Sequence, residues 1–132
     1  MLHTLIVEDN ATFRESLKEI LCDRFPSLVV EEAGDGKEAL EKIETFVPHL
    51  VFMDIRLPGA SGLEITGKIK ARHTQIVVII LTSYDLPEYR QAAEQFGADY
   101  FLSKGATSAK EILALVGDIS TRIGFDLNGP NR

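Results

Sequence analysis

Cysteine is nearly absent from this chain. Cys22 stands alone, so no internal disulfide can form, and its place among apolar helical positions reads as a small core residue suited to a reducing, cytoplasmic setting. Excess positive charge is missing too. Fourteen basic residues against twenty acidic ones leave a net charge of −6, which opposes non-specific contact with DNA or an anionic membrane. Direct nucleic-acid binding by this chain is therefore not expected. The longest apolar run, Ile76 to Leu81, is too short to span a bilayer, and Met1-Leu2-His3-Thr4 has no basic leader character, which argues against membrane insertion and secretion. His3, His49 and His73 share no metal-ligand spacing. Repeats are absent, and no linker precedes residue 124.

What is present is enough for one packed domain: 132 residues, 45% of them hydrophobic. Five short apolar runs rich in β-branched residues span Thr4 to Val7, Leu28 to Ala33, Leu50 to Met53, Gln75 to Leu81 and Asp99 to Leu102. Several are apolar at nearly every position, as parallel strands covered on both faces are. Between them lie helical stripes: Phe13, Leu17, Ile20 and Leu21; Ala39, Leu40, Ile43 and Phe46; a segment from Gly62 to Arg72; Tyr89, Ala92, Ala93 and Phe96; and Ile112 to Ile119. Asp35 with Glu38, Ser61 with Glu64 and Ser108 with Glu111 have N-terminal capping spacing. Gly67 makes the third helix the least secure. Five β-α units in strict alternation predict an α/β fold, a doubly wound five-stranded parallel sheet of flavodoxin-like (βα)5 type with order 2-1-3-4-5.

In that order the first and third strands flank the topological switch point, and their C-terminal ends carry Glu8, Asp9 and Asp54. Two carboxylates about 4 Å apart repel by about 4 kcal/mol at an effective dielectric near 20, so three in one crevice need a proton or a cation. Only oxygen donors are on offer, which favours a hard ion such as Mg²⁺ over zinc or copper. The fourth and fifth strands lead into Thr82 and Lys104, a hydroxyl and an ammonium suited to phosphate oxygens. Metal, lysine and hydroxyl around one carboxylate are the parts needed for phosphoryl transfer to Asp54 as nucleophile. A competing pattern, Gly34-Asp35-Gly36-Lys37-Glu38-Ala39, resembles a dinucleotide-binding turn. It follows the second strand and leaves the other polar groups unexplained, so it reads as the turn into the second helix, and no organic cofactor is expected.

Val7-Glu8-Asp9-Asn10 and the run from Asp54 through Pro58 and Gly59 to Gly62, with Thr82 and Lys104 in order, resemble the receiver domains of two-component response regulators. The resemblance covers roughly Leu2 to Ile123. It implies that Asp54 accepts a phosphoryl group from a histidine kinase or phosphotransfer protein, with Glu8, Asp9, Asp54 and the Arg56 backbone carbonyl serving Mg²⁺. Thr82 and Phe101 would be the switch residues. Their motion would remake the surface of the fourth helix, fifth strand and fifth helix, altering partner binding or homodimerisation. Such a domain is no enzyme in its own right, though it assists its own phosphorylation and dephosphorylation.

Three departures stand out: a Glu-Asp acidic pair where Asp-Asp is commoner, Phe101 without a hydroxyl, and Gly105 where many receivers place proline. Arg56 and Tyr84 fall two residues after Asp54 and Thr82, where bulk would restrict water and lengthen the phosphorylated lifetime. Two rivals are an aspartyl phosphatase, which would usually carry an acid where Arg56 stands, and a pseudo-receiver that is never phosphorylated. The stretch Asp99 to Gly105 is similar to receivers that precede LuxR-type helix-turn-helix domains. The expected organisation is a receiver over 1–124, with 125–132 a tail or the start of a linker, in a chain truncated from a transcriptional regulator.

Overall fold

The computed structural model describes residues 1–127; residues 128–132, read above as tail or linker, lie outside the described residues. The sheet strands are β1 (His3–Val7), β2 (Val29–Ala33), β3 (Leu50–Met53), β4 (Val77–Thr82) and β5 (Tyr100–Ser103). The helices are α1 (Ala11–Arg24), α2 (Gly36–Thr45), α3 (Gly62–Arg72), α4 (Pro87–Gln95) and α5 (Ala109–Arg122). The strands are all parallel, in the predicted order β2-β1-β3-β4-β5. Arg56–Leu57 and Ala60–Ser61 add a small antiparallel ribbon between β3 and α3.

Alternation along the strands divides the core in two. Leu5, Val7, Val51, Met53, Val78 and Ile80 face α2, α3 and α4, where Ala39, Ile43, Ile65, Ile69 and Ala93 meet them. Ile6, Leu50, Phe52, Ile79 and Leu81 face Leu17 and Leu21 of α1 and Ile112, Val116 and Ile119 of α5. Each fully buried side chain of this kind contributes roughly 1.5–3 kcal/mol. Because both faces are covered, the interior strands carry no polar alternation. The edge strand β2 is half-buried at four of its five positions and bears Glu31 and Glu32.

Several local expectations change. β4 starts at Val77 rather than Gln75 and runs on to include Thr82. Cys22 is only half-buried, on the flank of α1 rather than in its buried stripe of Leu17 and Leu21. Phe96, counted in a core stripe, is 39% exposed at the end of α4. Its ring lies where a Cβ on Gly67 would come within 2.7 Å, so the glycine that weakens α3 makes room for Phe96. The capping pairs also differ. Ser108 and Glu111 form the reciprocal box. Glu38 instead accepts from Gly34, and Ser61 caps the N–H of Leu63. Residues 125–127 continue the packing beyond α5, with Leu127 buried and Phe125 against the core.

Candidate functional site

The parallel ladder delivers the acidic residues to one edge. Beyond the last paired residues, the Glu8 N–H still bonds to the Ala33 carbonyl at 3.0 Å and the Asp54 N–H to the Val7 carbonyl at 3.1 Å. These bonds fix the two chain exits side by side at the C-terminal ends of β1 and β3. One carboxylate oxygen each from Glu8, Asp9 and Asp54 lies within 4.8 Å of the others. Glu8 and Asp54 are buried, while Asp9 is exposed.

The glycines of the β3–α3 loop have separate reasons. Gly59 sits at φ +70°, a left-handed conformation that a side chain would strain. At Gly62 the constraint is space. A Cβ there would stand 1.8 Å from the Asp54 carbonyl oxygen, and the Gly62 N–H donates to the Ile55 carbonyl at 2.7 Å. The start of α3 is thus packed directly against the Asp54 backbone. The Asp54 carboxylate itself accepts the Ile55 N–H at 2.7 Å.

Lys104, just past β5, reaches across the crevice. Its Nζ donates to Glu8 Oε1 and, at 3.2 Å, to Asp54 Oδ2. The Lys104 backbone N–H donates to the Thr82 carbonyl at 2.9 Å, which ties the ends of β4 and β5 together. Burial lowers the proton affinity of the ammonium, but the hydrogen bond to Glu8 and the charges of Asp54 and Glu8 outweigh it and hold the lysine protonated beyond its usual range. Burial pushes the Glu8 carboxyl up, and the Asp54 charge adds to this; the hydrogen bonds from Lys104 and Asn10 offset only part. Two buried carboxylates served by one ammonium remain short of positive charge. An all-oxygen donor set with surplus negative charge fits a hard divalent ion.

The remaining candidates divide into two groups. Thr82 is fully buried at the end of β4, where its Oγ1 accepts the Tyr84 N–H at 3.3 Å. The Arg56 guanidinium lies 4.2 Å from the Tyr84 ring centroid, and Tyr84 meets Tyr89 of α4 edge-on, so these positions join two loops. Phe101 is half-buried against the core, with Arg90 of α4 stacked 4.7 Å from its centroid and paired with Asp85 at 2.5 Å. Gly34 to Ala39 is the turn into α2. Asp35 caps it, and Gly36 leaves room for Ile65. Two neighbours escaped the sequence reading. Phe13, taken as core, places its ring 4.2 Å from the Lys104 ammonium, and Arg14 donates to the Glu8 carbonyl.

A doubly wound sheet with three carboxylates and a lysine at its switch point is an arrangement suited to a hard cation beside a phosphoryl group. Residues 4–116 match the response regulator receiver domain family, and the chain belongs to that family. The transcriptional activator protein ExaE of Pseudomonas putida is 41% identical over 106 residues, which cover 80% of this chain and 49% of that protein. A CheY-like response regulator receiver domain protein from Methanospirillum hungatei JF-1 matches with a TM-score of 0.85 at 28% identity, over 92% of this chain and 95% of the other. The response regulator TrrA of Thermotoga maritima, solved with Mg(2+)-BeF, matches with a TM-score of 0.79 at 33% identity, over 90% and 99% of the two chains. The chain spans about half the length of the curated relatives it matches first. No helix among the described residues is long and apolar enough to cross a membrane.

Proposed function

We propose that Asp54 is the phosphoacceptor of a two-component signalling pathway and that Glu8, Asp9, Asp54 and the Arg56 carbonyl hold Mg²⁺. The observation that carries this reading is the clustering of three carboxylates around a lysine that bonds to two of them. An Asp54 oxygen attacks the phosphorus of a histidine kinase's or phosphotransfer protein's phosphohistidine, and the phosphorus–nitrogen bond breaks. Lys104 moves from its carboxylate partners toward the phosphoryl oxygens, and the Thr82 hydroxyl donates to another. Held by these residues, Mg²⁺ would supply neutralising charge for the carboxylates and the transferred group.

The consequence is a change in the surface formed by α4, β5 and α5. Thr82 turning toward the phosphoryl group opens space that Phe101 enters sterically, since it has no hydroxyl to bond. That surface then governs homodimerisation or a following DNA-binding output domain, in keeping with a relative that is a transcriptional activator. The domain acts in the cytoplasm, without turnover of a substrate of its own. The Arg56–Tyr84 stack restricts water and lengthens the phosphorylated lifetime. An unchanged half-life after truncating both to alanine would contradict that role.

Acetyl phosphate with Mg²⁺ separates the readings. Stable labelling that Asp54→Asn abolishes supports the receiver. Continuous phosphate release from many substrates would support a phosphatase, and no labelling would support a phosphorylation-independent module.

A further inference from the structure

Arg14 stands where helix electrostatics disfavour it. A helix N-terminus attracts carboxylates and repels cations, yet α1 has no acidic residue in its first turn and Arg14 closes that turn. The reason lies in its partners. Past the last ladder bond, from the Glu8 N–H to the Ala33 carbonyl, the chain leaves the sheet. Arg14 takes hold of the next backbone group, donating from Nη1 to the Glu8 carbonyl at 2.5 Å. Its Nε donates to Glu32 Oε1 of β2 at 3.3 Å, and Lys18 pairs with the other oxygen of Glu32 at 3.5 Å. The side chain is only 20% exposed, and a Cβ on Gly34 would stand 3.6 Å from its Nη1.

We infer that Arg14 is a positioning residue for divalent-cation binding: anchored on Glu32 of β2, it grips the Glu8 carbonyl and so sets where the Glu8 and Asp9 carboxylates stand. Besides the Lys104 bond to Glu8 Oε1 and the ladder bond from the Glu8 N–H to Ala33, the other bonds of this loop are local. Glu8 Oε2 accepts the Asn10 N–H at 3.1 Å, and Asn10 caps α1 by accepting the Phe13 N–H at 3.0 Å. They shape the turn without tying its carbonyl to β2. The planar guanidinium donates in two directions at fixed geometry, which a lysine cannot do. This inference rests on the reading of Glu8, Asp9 and Asp54 as a Mg²⁺ site.

The sign of the effect separates positioning from simple charge. Removing a nearby cation should tighten Mg²⁺ binding if only through-space charge matters, whereas loss of an outer-sphere support typically weakens a metal site by roughly 10–100-fold. Calorimetric titration of the unphosphorylated full chain with Mg²⁺ is the test, with thermal midpoints recorded without metal. Arg14→Gln is expected to weaken Mg²⁺ binding about tenfold or more, and Arg14→Lys, which keeps the charge, to recover only part of it. If Arg14→Gln does not fold, Arg14→Lys decides alone, because it changes the geometry of the grip at constant charge. Wild-type or tighter Mg²⁺ affinity in these variants, whatever their midpoints, overturns the role of Arg14. Wild-type protein that binds no Mg²⁺ overturns the underlying site reading as well.

Discussion

The two ends of the sheet are built on opposite principles. At the C-terminal edge, Glu8 and Asp54 are buried with one ammonium between them, and Asp9 adds a third carboxylate. At the N-terminal edge, aromatic rings and backbone bonds close the structure. His3 stacks on Phe46 with centroids 4.6 Å apart, His49 meets Phe125 at 4.7 Å, and the His3 N–H donates to His49 Nδ1 at 3.0 Å. Leu2 and Leu127 are buried in the core on that side. One end is left short of positive charge, as a site for a hard cation would be. The other satisfies itself and holds the strands in register. A parallel sheet gathers its strand exits, and the chemistry they carry, at a single edge.

Three substitutions probe this contrast. The largest effect is expected at Gly62, where the start of α3 meets the Asp54 backbone. Gly62→Ala should cost about 3 kcal/mol or more in urea unfolding, because a Cβ would overlap the Asp54 carbonyl and force the loop away. A near-neutral result would show that the reactive edge tolerates rearrangement, against the tight packing described. Next comes Thr4 of β1, whose buried hydroxyl has no hydrogen-bond partner among the described residues. Thr4→Val keeps the shape and should stabilise the protein by about 1 kcal/mol. Lower stability would reveal a hidden partner for the hydroxyl.

The smallest effect concerns pH at the closed edge. Burial, then the charges of His3 and the N-terminus, lower the proton affinity of His49. A histidine lowered in the folded state contributes stability that is present above its unfolded value, about 6.5, and lost as pH falls through its folded value. The urea midpoint should therefore decline on acidification below about pH 6.5, and His49→Gln should flatten that decline. Glu8 works in the opposite sense at the open edge. Its raised carboxyl favours the metal-free fold at low pH and loses that contribution as pH rises.

How far the sequence revealed these ends depends on the kind of contact. β3, at Leu50–Met53, and α3, at Gly62–Arg72, were legible to the residue, because apolar runs bounded by turn chemistry mark strands and caps mark helices. The clustering of Glu8, Asp9, Asp54 and Lys104 followed from strand order alone. What periodicity could not supply were contacts between separate segments: Arg56 on Tyr84, Phe96 over Gly67, and His49 under Phe125. Phe13 was read as core and Arg14 was passed over, since both look like ordinary α1 residues. A cation in a helix's first turn beside an acidic pair was the available signal for Arg14.

The most direct test of the central claim is phosphopeptide mapping after incubation with a phosphorylated histidine kinase domain and Mg²⁺. With Asp54 as the phosphoacceptor, a hydroxylamine- and base-labile phosphoryl group is expected on Asp54, absent when Mg²⁺ is chelated and absent in Asp54→Asn. Labelling that persists in Asp54→Asn at an undiminished level, or that proceeds equally well without a divalent ion, would contradict it.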